Sequence, residues 1–479
     1  MSISVLPNEI LLGIFDFCGI CANEYRVVKE DIEAWQSLVH VCRRWRSVVF
    51  GSPCRLNLRL VGTHKTPVRD TLDVWPALPL VIVDHGSLSK GLDNTIAMLE
   101  HRDRVCQIEL SFHSSSPLEK VLAAMQVPFP ELTHLVLNSY IDTASVLPDS
   151  LLAESATRLR HLSLKKFRFP ALPILLLSAV NLVDLHLRNI RQSAYISPET
   201  VVTVISTLTR LESLSLEFRF LQSHPDRASP RPPPLTRTVL SVLTFFWFQG
   251  AKEYIDDLVA CIDTPRLNSL YINFFNQIGI DTPQLIQFIC RTPGLKALQE
   301  AHLVFSNRAA WIYLSSGCSV LFVKILCTEL WIQLLSLEEI CTSTLPPLST
   351  LESLYISDAP YRPPKWPNGM QDDTETFWME LLDKFTEVKN LYLSKEMEQR
   401  VVPALVEFSG SGTTEVLPTL ENIFLEELHP SGPVQEGIED FVAGRQLISH
   451  PVAVSLWDSW PASLMYCQWL IKDPRVWSH

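Results

Sequence analysis

A short pattern of apolar and polar positions, apolar-x-x-apolar-x-apolar, recurs along most of the chain. Val105/Ile108/Leu110, Leu132/Leu135/Leu137, Leu159/Leu162/Leu164, Leu182/Leu185/Leu187 and Leu211/Leu214/Leu216 carry it in the first half. Leu267/Leu270/Ile272, Leu351/Leu354/Ile356, Val388/Leu391/Leu393 and Leu420/Ile423/Leu425 carry it in the second. Val239/Val242, Leu298/Leu303 and Val320/Val323/Ile325 are worn copies. Alternation at the later positions is the period of a strand with one buried face. It predicts strands at 107–111, 134–138, 161–165, 184–188, 213–217, 269–273, 353–357, 390–394 and 422–426. Between strands, residues 198–208, 253–262 and 283–290 read as helices, several of them opened by Pro or Thr. One strand and one helix bury nothing alone, so the units must stack.

The spacing resembles a leucine-rich-repeat array, whose period is about 20–29 residues. The resemblance covers the strand half of the unit, and the Asn that usually follows the strand is mostly missing. It implies an α/β solenoid with parallel strands on the concave face and helices on the convex face. Residues 105–445 form the array, 53–104 a connecting segment with early degenerate repeats, and 446–479 a Trp-rich C-terminal cap. Two proline-rich stretches, 223–235 and 359–373, interrupt the array and are expected as exposed excursions.

The first fifty residues have a different, helical period. After Pro7, which suits a first helical turn, Ile10, Leu11, Ile14, Phe15 and Cys18 fall on one stripe. A second helix is expected over 31–50, with Trp35, Leu38, Cys42, Trp45 and Val49 on one face, stopped by Gly51 and Pro53. Two short amphipathic helices cannot enclose a core and need a partner surface. Leu6, Pro7, Ile10, Leu11, Ile14 and Phe15, followed by Val41, Cys42, Arg43 and Trp45, resemble an F-box. This is the helical module that docks on the Skp-type adaptor of cullin–RING ubiquitin ligases. A charged insert at 23–33 departs from the family pattern. Residues 1–52 are therefore an F-box-like head. The resemblance assigns adaptor binding to Leu6, Pro7, Ile10, Leu11, Ile14, Phe15, Val41, Cys42 and Trp45.

Composition narrows the partners. The 479 residues carry 40 basic against 52 acidic side chains, a net charge of −12 that argues against a nucleic-acid footprint. Eleven cysteines, an odd number without secreted-domain spacing, are expected as free thiols of a cytoplasmic or nuclear protein. The most apolar segment, 318–337, contains Lys324 and Glu329 and reads as buried structure, so no membrane span is expected.

No catalytic constellation appears: there is no phosphate loop, nucleophile elbow, zinc-protease motif or dinucleotide fingerprint. Neither an enzyme nor a cofactor is expected. In the repeat register His134, His161 and Asp184 point out from three consecutive strands. A straight row spans roughly 10 Å and closes poorly around one ion, so no metal is expected. A second outward column reads Val136, Ser163, His186 and Ser215, then Tyr271, Tyr355, Tyr392 and Phe424. The four aromatics are the candidate target-binding residues, unless loops fold over them. The sequence thus reads as a substrate receptor, with the head on the adaptor and the array on an unidentified target protein. The alternative is a repeat scaffold with no ligase role.

Overall fold

The computed structural model describes residues 6–19, 37–53, 56, 58–63, 68, 72, 77–84, 88–141, 145–154, 156–168, 172–219, 236–275, 281–345, 348–359, 362–364, 366, 371–411, 416–427, 432–447 and 449–457. The chain is a mixed α/β protein whose strands pair mostly in parallel, and it divides into two compact units, 1–219 and 220–479.

In the first unit seven strands pair in chain order, each parallel to the next. They are Leu60–Gly62, Leu80–Asp84, Val105–Phe112, His134–Ser139, His161–Lys165, Asp184–Ile190 and Ser213–Phe218. Parallel neighbours need crossover connections, and helices such as Leu88–Glu100, Ser115–Ala124, Leu172–Ser178 and Pro198–Ile205 lie in the crossovers. The middle apolar residue of each unit stays in register. Ile108 pairs with Leu135, Leu135 with Leu162, Leu162 with Leu185 and Leu185 with Leu214, and all five are buried. Ser197 caps the Pro198–Ile205 helix by accepting from the Thr200 N–H at 3.2 Å.

In the second unit the strands Phe245–Gly250 and Ser269–Phe275 pair in parallel. Ser353–Asp358, Asn390–Leu393, Asn422–Leu425 and Ala453–Leu456 form a second parallel run. Helix connects to helix as well as to sheet: Asp256, on Lys252–Ala260, accepts from the Gln284 and Leu285 N–H groups at 2.9 and 3.0 Å. It thereby caps the first turn of Pro283–Arg291 from the preceding helix of the same unit.

The strands expected from the regular copies lie where the pattern puts them, but the worn copies at 298–325 conceal a different connection. Glu300–Phe305 is parallel to Ser353–Asp358, and Ser319–Leu326 is parallel to Ser269–Phe275. Between them Ala309–Ser316 runs antiparallel to both, so a three-stranded meander enters the sheet in reverse chain order. Gly317 makes the tight return, with φ of +59° between the paired Ser316 and Ser319.

The proline-rich stretch at 359–373 departs only in part from its expected exposure: Arg362 and Pro363 are exposed. Pro364 is buried, and Trp366 packs against Phe305 at 5.8 Å between ring centroids and under the Arg400 guanidinium at 4.0 Å. An indole has too much apolar area to leave in water when a ring and a cation lie within reach. The stretch at 223–235 lies outside the described residues, as do 458–479 with three of the four tryptophans of the expected cap.

Cys42, Cys106, Cys261, Cys290, Cys318, Cys327 and Cys341 are free thiols, and among the described residues no helix is long and apolar enough to cross a membrane. One close approach gives a stability test. A Cβ on Gly294 would meet the Leu267 carbonyl oxygen at 2.4 Å, a backbone atom that cannot swing away. Gly294→Ala is expected to destabilise the second unit by about 1–3 kcal/mol, as overpacking does. Urea unfolding measures it, and an unchanged midpoint would show that the backbone yields.

Candidate functional site

The head is built from Asn8–Gly19 and Arg43–Gly51, with residues 37–41 also helical. The expected second helix is not continuous. Cys42 is extended (φ −160°, ψ 168°), and its sulfur accepts from the Trp45 N–H at 3.4 Å, so it caps a separate helix. Arg43, Arg44 and Arg46 consequently sit in a first turn, where the helix dipole does not favour them. Two of them are used elsewhere. Arg44 donates to the Leu6 carbonyl and, at 2.9 Å, to Asn8 Oδ1; Arg46 donates to the Val39 carbonyl at 2.9 Å. The Arg44 bonds pin the entry of the first helix against the last, and the Arg46 bond ties the last helix to residues 37–41. The charged insert and residues 31–36 lie outside the described residues.

The apolar stripe expected on the first helix divides in two. Leu11 and Phe15 point inward: both are buried, and Phe15 meets half-buried Trp45 edge-to-face at 4.8 Å. Val39, Val48 and Val49 are buried as well. Pro7, Ile10 and Ile14 follow the spacing i, i+3, i+7 of a neighbouring stripe and stay in water. Ile10 is 51% and Ile14 38% exposed, with Val41 at 58%. Cys42 is exposed too, and Leu6 is half-buried. Nine residues of one candidate surface thus separate into a small internal core and an outward apolar stripe.

The second candidate surface lies on the sheet face of the second unit opposite its helices. Phe248 stacks on Tyr254 of a helix at 5.8 Å, and Phe305 meets the helical Trp378 at 5.8 Å, which fixes the helix side. The alternate residues form one register row: Trp247, Tyr271, Phe322, Tyr313, His302, Tyr355, Tyr392 and Phe424. Rings stack at 4.2 Å from His302 to Tyr355, 4.1 Å to Tyr392 and 4.4 Å to Phe424. Strands spaced about 4.8 Å apart place in-register rings at stacking distance. The structure therefore brings Tyr355, Tyr392 and Phe424 together. Tyr271 belongs instead to a cluster with Trp247, Trp311, Tyr313 and Phe322.

The row is less open than its polar-face position suggested. Tyr271 and Tyr355 are buried, whereas Tyr392 and Phe424 remain half-buried. Trp457 lies across the open end, 5.6 Å from Tyr392, with its indole N–H donated to the Leu393 carbonyl at 3.2 Å. Burial, with Tyr392 beside it, pushes the Tyr355 hydroxyl well above the ordinary phenol range. Burial also lowers the His302 imidazole, so it stacks as a neutral ring. Sequence reasoning missed His302, Tyr313 and Phe322, because the meander breaks the repeat spacing that would have aligned them, and Trp247, whose strand lies past the worn copy expected at Val239/Val242. Beside the rings runs an amide ladder, Asn422 to Asn390 at 2.9 Å and Asn390 to Ser353 at 3.3 Å.

In the first unit the row His134, His161 and Asp184 is in register, as expected. His134 Nδ1 is engaged by the Thr133 hydroxyl at 2.8 Å. Burial, then the neighbouring His161 and the Arg59 and Arg160 guanidiniums, lower His134 to about 4. His186, from the second outward column, reaches the same place: its ring lies 5.3 Å from that of His161. No family model matches the sequence, and no curated protein matches it either.

Proposed function

We propose that the chain is a substrate-receptor subunit of a cullin–RING ubiquitin ligase, its head held by a Skp-type adaptor and its repeats presenting a target protein. One observation carries the reading. The head buries Leu11, Phe15, Val39, Val48 and Val49 and still leaves Pro7, Ile10, Ile14 and Val41 exposed. Exposed aliphatics aligned along one stripe of a helix mark a contact surface. The stripe coincides with the residues through which the sequence resembles an F-box. The strand–helix succession with parallel pairing fits a leucine-rich-repeat-like solenoid, interrupted once by the meander. On this reading no chemistry is asked of the chain; it raises the local concentration of a target beside the transfer machinery. Tyr392 and Phe424, at the accessible end of the aromatic row, are the first contacts for the target.

The test is capture of a purified Skp-type adaptor by the full chain. Ile10→Asp with Ile14→Asp places two charges in the contact and is expected to weaken capture on the order of 100-fold. Ile174→Asp, at a residue 50% exposed elsewhere, is the control and should bind like wild type. No capture by wild type, or equal capture by the folded double variant, overturns the reading.

A further inference from the structure

The geometry points to a divalent transition-metal site at His161, Asp184 and His186. Each offers one donor atom, and the three donors lie within 4.8 Å of one another. Strand pairing sets the arrangement: His161 pairs with Asp184 and Ser163 with His186, so Asp184 and His186 are i, i+2 on one strand beside His161 on the next. Alternate residues of a strand share a face, and the three side chains therefore converge from two adjacent strands. The triangle avoids the defect of the straight row, because His186 replaces the distant His134.

The His161–Asp184 separation fits an ion better than a hydrogen bond. His161 Nδ1 lies 3.5 Å from Asp184 Oδ2, longer than the usual N–H···O distance of about 2.9 Å. In a tetrahedral site with bonds of about 2.1 Å, ligand atoms stand about 3.4 Å apart. His161 Nδ1 is shielded from solvent and makes no hydrogen bond among the described residues. The side chains of His161 and Asp184 are 18% and 14% exposed, so a bound ion would be partly desolvated yet reachable. Two imidazoles, donors of borderline softness, beside one hard carboxylate suit zinc and its first-row neighbours better than calcium or magnesium, which take all-oxygen ligand sets. Three protein ligands leave at least one position open for water or for a donor from a bound partner.

The experiment uses the full chain freed of metal by chelation and titrated with Zn2+ against a chromophoric chelator. One site is expected that Asp184→Asn and His186→Gln each weaken by about 100-fold or more, exceeding the cost of losing an outer-sphere partner. His134→Gln, outside the triangle, should leave the affinity unchanged. The Co2+ form read on wild type alone should show d–d bands without a thiolate-to-metal charge-transfer band. That spectrum excludes a cysteine-ligated site even if a variant fails to fold. Absence of binding at micromolar Zn2+, a thiolate band, or affinity untouched by the Asp184 and His186 changes overturns the proposal.

Discussion

Tyr355→Ala is expected to destabilise the second unit by about 3–5 kcal/mol, the range for deleting a large buried aromatic. Tyr355 has a ring on either side, His302 at 4.2 Å and Tyr392 at 4.1 Å, and it is the buried centre of the stack. Its removal leaves a gap between two strands whose backbones are held apart by their own hydrogen bonds, so the neighbours cannot close it. Tyr355→Leu restores apolar volume without the stacking geometry and should recover part of the loss. Tyr355→Phe keeps the ring and should cost only about 1 kcal/mol, the scale of one hydrogen bond. Urea unfolding of the four proteins gives the series, and a loss below about 1 kcal/mol for Tyr355→Ala would mean that the stack carries no stability.

The same series separates structure from recognition. Tyr392 and Phe424 are half-buried, so truncating them should cost less stability than Tyr355 and more of any target affinity. The notable controls are Ser163→Ala and Ser215→Ala, in the corresponding column of the first unit. If a folded Tyr392→Ala, Phe424→Ala variant keeps every partner that wild type captures while the serine controls lose them, recognition lies elsewhere.

How much the sequence discloses varies from one segment to another. Leu135, Leu162, Leu185 and Leu214 are legible because a strand with one buried face leaves a period of two that no helix imitates. The meander is not legible, since Ala309–Ser316 is buried on both faces at all but its last residue. A run such as Ala-Ala-Trp-Ile-Tyr-Leu carries no alternation from which to read a face or a direction. The head shows the opposite limit. Ile10 and Leu11 are both apolar and adjacent, and only the packing of Phe15 on Trp45 decides which stripe turns inward. The break at Cys42 was hidden because cysteine is a rare cap, and its flanking residues continue the helical period without interruption. His186 is not legible as a member of the group because it belongs to the other outward column, and a ligand set can draw on two columns of neighbouring strands.

The second unit should lose stability as pH rises from about 5 to about 7, through two buried carboxyl groups. Glu398, on Lys395–Ser411, is fully buried and accepts from the Glu426 and Glu427 N–H groups at 3.1 and 3.4 Å. Burial pushes its carboxyl up to about 7, the two backbone donors pulling the other way. Burial likewise pushes Asp358 up to about 7, against the pull of Trp366 and Arg400. A group raised in the folded state holds its proton where the unfolded chain has released it. Its favourable contribution is complete below the unfolded value and is lost as pH climbs through the folded one. For Glu398 the interval runs from 4.5 to about 7. At about 1.4 kcal/mol for each pH unit, the penalty above that interval is at most about 3.5 kcal/mol. His302, lowered by burial, works in the opposite sense below its ordinary value of 6.5, so wild type alone gives a blunted curve. The difference between Glu398→Gln and wild type isolates the carboxyl, since every other titration cancels. That difference should move in favour of the variant by about 2–3 kcal/mol between pH 5 and pH 8, with most of the change before pH 7. Asp358→Asn should give a second curve of the same sign. Urea midpoints at pH steps across that range measure both, and flat difference curves would show that neither carboxyl is protonated in the folded chain near neutrality.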